Sequence, residues 1–195
     1  MNFTYLIPSG NPVETEVLFE NDDDGRSRIR KRYASLACAK CGKVDEYAAL
    51  SLGVDPNVIV RTKKDYFGTF DHFDCVSQRL RAILEQANVS GVGFVELPKS
   101  RSYSILVPKF RVHVDLATSA MQFRRKPCPI CGRYQESTGY PPLRSMELPT
   151  ERLVMFMPDF LPEKSDARMA VWIASEDVVK LLQDANITGI DWDAF

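Results

Sequence analysis

Ser77-Gln78-Arg79-Leu80-Arg81-Ala82-Ile83-Leu84-Glu85-Gln86-Ala87-Asn88-Val89-Ser90-Gly91 is the stretch on which the architecture turns. Leu80, Ile83, Leu84 and Ala87 fall at i, i+3, i+4 and i+7, which lines up one apolar helical face. Ser77 is placed to cap the first turn, and Asn88 and Gly91 to end the helix. The apolar residues of Phe70 to Val76 predict a strand feeding the helix, and those of Val92 to Leu97 a strand leaving it. The unit is therefore strand, helix, strand.

It recurs 98 residues later without a gap: Ser175, Leu182, Ala185, Asn186 and Gly189 repeat Ser77, Leu84, Ala87, Asn88 and Gly91. Similar apolar spacing is common to such units, but the shared Ala and Asn are not demanded by it, and an internal duplication is expected. Moving outward, each copy is preceded by a short motif: Cys38-Ala39-Lys40-Cys41-Gly42 before the first and Cys128-Pro129-Ile130-Cys131-Gly132 before the second, 90 residues on. Each CxxC turn aims two thiolates at one point, and the following Gly permits the left-handed backbone of a knuckle. Four thiolates complete a tetrahedral set for Zn²⁺. The 86 residues between the pairs exceed a minimal zinc ribbon, so one metal would fasten two distant stretches. Two separate half-sites, a redox pair and inert buried cysteines remain the other readings. The redox pair is disfavoured because no apolar strand leads into either motif.

The expected fold class is therefore α+β: two similar halves, about 1–100 and about 101–195, each a CxxCG zinc knuckle plus a strand-helix-strand unit, joined in one domain by a four-cysteine site. The ligands are Cys38, Cys41, Cys128 and Cys131, and the cofactor is structural zinc. A chain of 195 residues with 45% apolar content suffices for one medium domain with a real core. The odd cysteine count, five in all, argues against a disulfide framework. The opening Met1-Asn2-Phe3-Thr4 has no basic signal region, and no apolar run is long enough to span a bilayer, so a cytoplasmic, soluble protein is expected.

The remaining elements are less sharply marked. Residues 1 to 8 and 12 to 20 read as strands, and 26 to 36 as a strand with a basic face. Tyr103 to Val107 and Phe110 to Leu116 read as a hairpin around Pro108-Lys109, and Leu153 to Met157 as a further strand. With 25 basic against 26 acidic residues, bulk charge names no partner. Local runs do exist: Asp22, Asp23 and Asp24 beside Arg26, Arg28, Arg30, Lys31 and Arg32, and Arg124, Arg125 and Lys126 before the second knuckle. Such runs are most often solvated surface.

Catalytic candidates are few. His72 and His113 are the only histidines, and Cys75 aligns with Ile173 in the repeat, which marks it as a small buried apolar residue. No phosphate-cradling glycine loop or nucleophile elbow is present. A site closed by four thiolates leaves no position for water.

Cys128-x-x-Cys131-Gly132-Arg133, then Leu148-Pro149-Thr150, then Ile173-Ala174-Ser175-Glu176 and Ile187-Thr188-Gly189-Ile190, with the earlier Cys38-x-x-Cys41-Gly42, resemble the bacterial double-CXXCG motif family. The Val76-Ser77 to Val92 segment is also similar to a unit of immunity proteins in polymorphic toxin systems. The resemblance implies a small cytoplasmic protein that binds and neutralises a cognate toxin. Were that toxin a basic nuclease, the turn at Asp22, Asp23 and Asp24 would be a natural contact. The alternative is a zinc-ribbon-like nucleic-acid-binding protein, using the basic stretches with Tyr33 and Phe123. A zinc enzyme comes last.

Overall fold

The computed structural model describes residues 2–13, 15–21, 27–115, 122–124, 126–134, 136–138, 143–159 and 171–192. Both serine-led helices form where the apolar spacing places them. The chain runs β1 (Phe3–Pro8), β2 (Phe19–Asn21), β3 (Ser27–Ile29), a 3₁₀ turn (Lys31–Leu36), α1 (Glu46–Leu50), β4 (Tyr66–Gly68), β5 (Asp74–Ser77), α2 (Gln78–Gln86) and β6 (Val92–Glu96). It continues through β7 (Tyr103–Pro108), β8 (Arg111–His113), β9 (Gln122–Arg124), β10 (Glu136–Thr138), a 3₁₀ turn (Leu143–Ser145), β11 (Met155–Asp159), β12 (Trp172–Ser175), α3 (Glu176–Asp184) and β13 (Ile190–Asp191). The protein is mixed α+β.

Two sheets carry the architecture. One has the order β4-β5-β7-β6, the other β8-β11-β12-β1-β13, and two ribbons, β2-β3 and β9-β10, lie outside them. In the first, β7 lies between β5 and β6, pairing Cys75 with Ile105 and Val92 with Pro108. In the second, β1 lies between β12 and β13, pairing Tyr5 with Ile173 and Pro8 with Ile190. All four of these pairings are antiparallel.

The helices leave their strands in matching ways. Each runs nine residues and ends on an alanine near φ −79°, ψ −2° for Ala87 and φ −78°, ψ −2° for Ala185. The next residues, Asn88 and Asn186, take φ 55° and φ 50°, a left-handed exit that asparagine tolerates. Gly91 and Gly189 follow at φ 80° and φ 93°. A methyl group on Gly91 would overlap the Met155 carbonyl oxygen, and one on Gly189 the Tyr66 carbonyl oxygen, so both glycines are required by close approach as well as by φ.

Those approaches join the two sheets. Tyr66 N–H donates to the Thr188 carbonyl at 3.0 Å, and Met155 N–H to the Ser90 carbonyl at 3.1 Å. Beneath them one continuous apolar cluster takes Leu80 and Leu84 of α2, Val178 and Leu182 of α3, and Leu6, Tyr66, Val76, Leu106, Met155 and Trp172 of the sheets. The opposite face of the four-stranded sheet holds Phe67, Cys75 and Ile105 against Val17, Leu18, Tyr33 and Val44. That of the five-stranded sheet holds Tyr5, Phe156 and Ile173 against Val112, Val114 and Met146.

Four expectations are corrected here. Among the described residues of 103–116 there is no hairpin: the chain leaves β7 at Lys109, whose N–H is held by the Gly91 carbonyl at 2.8 Å, and β8 crosses to pair in parallel with β11 in the other sheet. Among the described residues of 26–36 only Ser27–Ile29 is strand, and Lys31–Leu36 turns into 3₁₀, burying Tyr33, which is fully enclosed. Among the described residues of 12–20, only Phe19 and Glu20 belong to a strand, with Val13 making an isolated bridge to Thr69. Phe70 to His72 form a turn ahead of β5, because Thr69 and Asp71 bond to each other and His72 adopts φ 66°. Cys75 is buried as expected, with no solvent exposure.

Candidate metal centre

The knuckles are built alike from their backbones. Cys38 N–H donates to the Lys43 carbonyl and Gly42 N–H to the Cys38 carbonyl, each at 2.8 Å. Cys128 N–H donates to the Arg133 carbonyl at 2.9 Å and Gly132 N–H to the Cys128 carbonyl at 2.8 Å. Gly42 and Gly132 both sit at φ 72°, with open space where a Cβ would be. Glycine is needed there for the left-handed turn, not for room.

The turns bring the four cysteine sulfurs together. All four Sγ atoms lie within 4.8 Å of one another, although 86 residues separate the two pairs. Cys38 and Cys128 are 3.8 Å apart at sulfur, and Cys41 and Cys131 3.5 Å. A tetrahedron with Zn–S bonds of about 2.3 Å has sulfur–sulfur edges of about 3.8 Å. The donor set therefore fits a tetrahedral, thiolate-preferring ion, and these are the four residues expected from the sequence. All are free thiols, far beyond disulfide distance.

The local field prepares them unequally. Backbone N–H groups of Cys41 and Lys40 point at the Cys38 sulfur and lower its pKa to about 6. Cys128 is lowered in the same way by the N–H groups of Cys131 and Ile130. Burial pushes Cys41 up to about 12. A cation bound among them would favour the thiolate at every position.

Two cations cross between the knuckles. Lys43 Nζ donates to the Tyr134 carbonyl at 2.7 Å, and Arg133 donates through Nη1 to the Val44 carbonyl. Arg133 is only 3% exposed, and its Nη2 lies 3.8 Å from the carboxylate of Asp45, the residue that caps α1. The two side chains thus tie each knuckle to the backbone of the other. The sequence motif includes Arg133, but no role follows from the sequence because a charged side chain beside a turn reads as surface. Its position directly after the Cys-Gly pair was the available signal.

Elsewhere the expected features fare differently. Asp22, Asp23 and Asp24 lie outside the described residues. Part of the first basic stretch is engaged internally: Arg28 with Glu20 at 3.3 Å, Arg30 with Asp55 at 3.5 Å, and Arg32 with the Val54 carbonyl at 3.1 Å. No helix among the described residues is long and apolar enough to cross a membrane. Comparison with models of known protein families returns no match, and comparison with curated proteins returns none either.

Proposed function

We propose that the protein is a zinc-stapled immunity protein, a cytoplasmic binder that neutralises a cognate bacterial toxin. The observation that carries the metal half of this reading is the convergence of Cys38, Cys41, Cys128 and Cys131 within 4.8 Å. Four thiolates fill a tetrahedron, so the metal is structural zinc and holds two distant loops in one rigid surface. Each loop precedes a strand-helix-strand unit, and the matched helix exits at Ala87-Asn88 and Ala185-Asn186 support descent from one duplicated half. The partner half of the reading rests on the resemblance of the two knuckles and the Ile173 to Ile190 segment to the double-CXXCG family. A rigid surface suits inhibition, because little ordering entropy is lost on docking.

Zinc analysis of the purified chain tests the first half: one equivalent per chain supports it, and a folded metal-free protein removes it. Affinity capture from native cells, with nuclease and a high-salt wash, tests the second. A stoichiometric partner ending in a toxin domain supports immunity. Nucleic acid that appears only when nuclease and salt are left out would replace it with the nucleic-acid reading. The internal pairing of Arg28, Arg30 and Arg32 favours the former outcome.

A further inference from the structure

β1 and β7 carry one pattern. Phe3-Thr4-Tyr5-Leu6-Ile7-Pro8 and Tyr103-Ser104-Ile105-Leu106-Val107-Pro108, 100 residues apart, agree in character at five of six positions, the exception being Tyr5 against Ile105. Their partners agree as well. Pro108 pairs with Val92 and Pro8 with Ile190; Ile105 pairs with Cys75 and Tyr5 with Ile173. Lys109 N–H donates to the Gly91 carbonyl and Ser9 N–H to that of Gly189, both at 2.8 Å. Gln78 N–H donates to the Ser102 carbonyl at 2.8 Å and Glu176 N–H to that of Asn2 at 3.0 Å.

The strands are nevertheless crossed over. β1, at the head of the first half, completes the sheet of β12 and β13; β7, at the head of the second, completes the sheet of β5 and β6. Each half donates an inner strand to the other. The metal donors obey the same relation, since the two close sulfur contacts, Cys38 with Cys128 and Cys41 with Cys131, each join corresponding members of the two knuckles. Lys43 reaching the Tyr134 carbonyl and Arg133 reaching the Val44 carbonyl repeat it once more.

We infer that the chain is a fused, strand-exchanged two-fold dimer whose half-to-half interface accepts the opposite half of a second copy of this chain. Everything that holds one half to the other is then available in trans, because only the turn from Leu97 to Ser102 connects β6 to β7. That turn closes on itself through Ser100 N–H to the Leu97 carbonyl at 2.9 Å and Tyr103 N–H to the Ser100 carbonyl at 2.8 Å, and these bonds are what opening it would break. In dilute solution the tethered arrangement prevails, since a short connection holds the halves at millimolar effective concentration. Selection for the trans form needs a condition that only it satisfies.

The metal supplies that condition, and here the inference rests on the zinc reading. Two full-length variants, Cys38→Ser/Cys41→Ser and Cys128→Ser/Cys131→Ser, each retain one knuckle and cannot build four thiolates in cis. Unfolded together and refolded with Zn²⁺, they yield a two-chain species with one zinc, formed by the intact first half of one chain and the intact second half of the other. At least tenfold more zinc is expected in that fraction than in either variant refolded alone, and none when the folded variants are simply mixed. Equal zinc in the single-variant samples, or no two-chain species while wild type binds one zinc per chain, overturns the exchange. If wild type binds no zinc, the metal reading falls by itself. Two differently tagged wild-type chains, co-refolded at high concentration, then decide the matter: co-capture supports the exchange and its absence refutes it.

Discussion

Asp74 stands on the β5 face that carries Val76, and burial pushes its carboxyl up to about 8. An unfolded aspartate titrates near about 4. Between those values the folded protein holds a proton that the unfolded chain has released, so stability falls as pH rises through that window and levels off above it. Asp74→Asn removes the proton uptake, and the variant is expected to be more stable than wild type at pH 8 and close to it at pH 4. Urea midpoints at the two values check this, and an unchanged pH slope would contradict it. Asp65 has the opposite sign. Burial alone would raise it, but hydrogen bonds from Ser77 and Thr188, with Arg79 beyond them, together hold it below the usual range. Its contribution is present near neutrality and is lost as pH falls through the folded value. Asp65→Asn leaves the Ser77 hydroxyl, the Thr188 N–H and hydroxyl and Arg79 with a weaker acceptor, at a cost of about 2 kcal/mol in urea unfolding at pH 7. Neither aspartate was legible beforehand. A carboxyl reads as exposed, and only tertiary contacts decide how deeply it sits and what bonds to it.

At the scale of elements, one serine position does two jobs. Ser77 Oγ accepts from the Leu80 N–H at 3.1 Å and donates to Asp65 at 2.7 Å, so it caps α2 and ties it to β4. Ser175, at the corresponding place, makes no side-chain cap; it donates to the Arg152 carbonyl and accepts from the Val154 N–H at 3.3 Å. In α3 the first turn instead carries Glu176 and Asp177, which complement the helix dipole. Ser77→Ala is therefore expected to cost about 1 to 2 kcal/mol and to speed amide exchange at the start of α2. Ser175→Ala should disturb the β11–β12 pairing while leaving the α3 amides protected. Equal fraying of both helices would show that the two serines cap alike. The helices were readable because periodicity and caps act within about ten residues. The strands β1, β6, β7 and β11 were readable as segments too, but how they pair was not, because pairing depends on partners far along the chain. Pro108-Lys109 looks locally like a turn, yet Lys109 is held by Gly91 and β8 is drawn to β11.

For the whole molecule, the knuckles were the most legible feature and the crossing of the halves the least. CxxCG advertises its own geometry, whereas nothing within β1 says that its neighbours come from the far end of the chain. The two features also divide the work of holding the protein together. On the proposed zinc reading, the four-cysteine site fastens residues 38–45 to 128–134, next to the cluster formed by Val44, Tyr33 and Leu50. The exchanged strands hold the central cluster around Trp172, which has no solvent exposure. Stripping the metal is thus expected to act on one side. As the knuckles part, Lys43 and Arg133 would lose the Tyr134 and Val44 carbonyls that hold them, and the buried Arg133, whose Nε has no hydrogen-bond partner, becomes a costly group to leave behind. Chelation, or Cys131→Ser, should abolish zinc binding and lower the melting temperature. Amide exchange should rise first around 38–50 and 128–134, while β1, β5, β7 and β12 stay protected and far-UV circular dichroism is largely retained. Loss of protection across these four strands on chelation would mean that the metal, not the exchanged strands, holds the halves together.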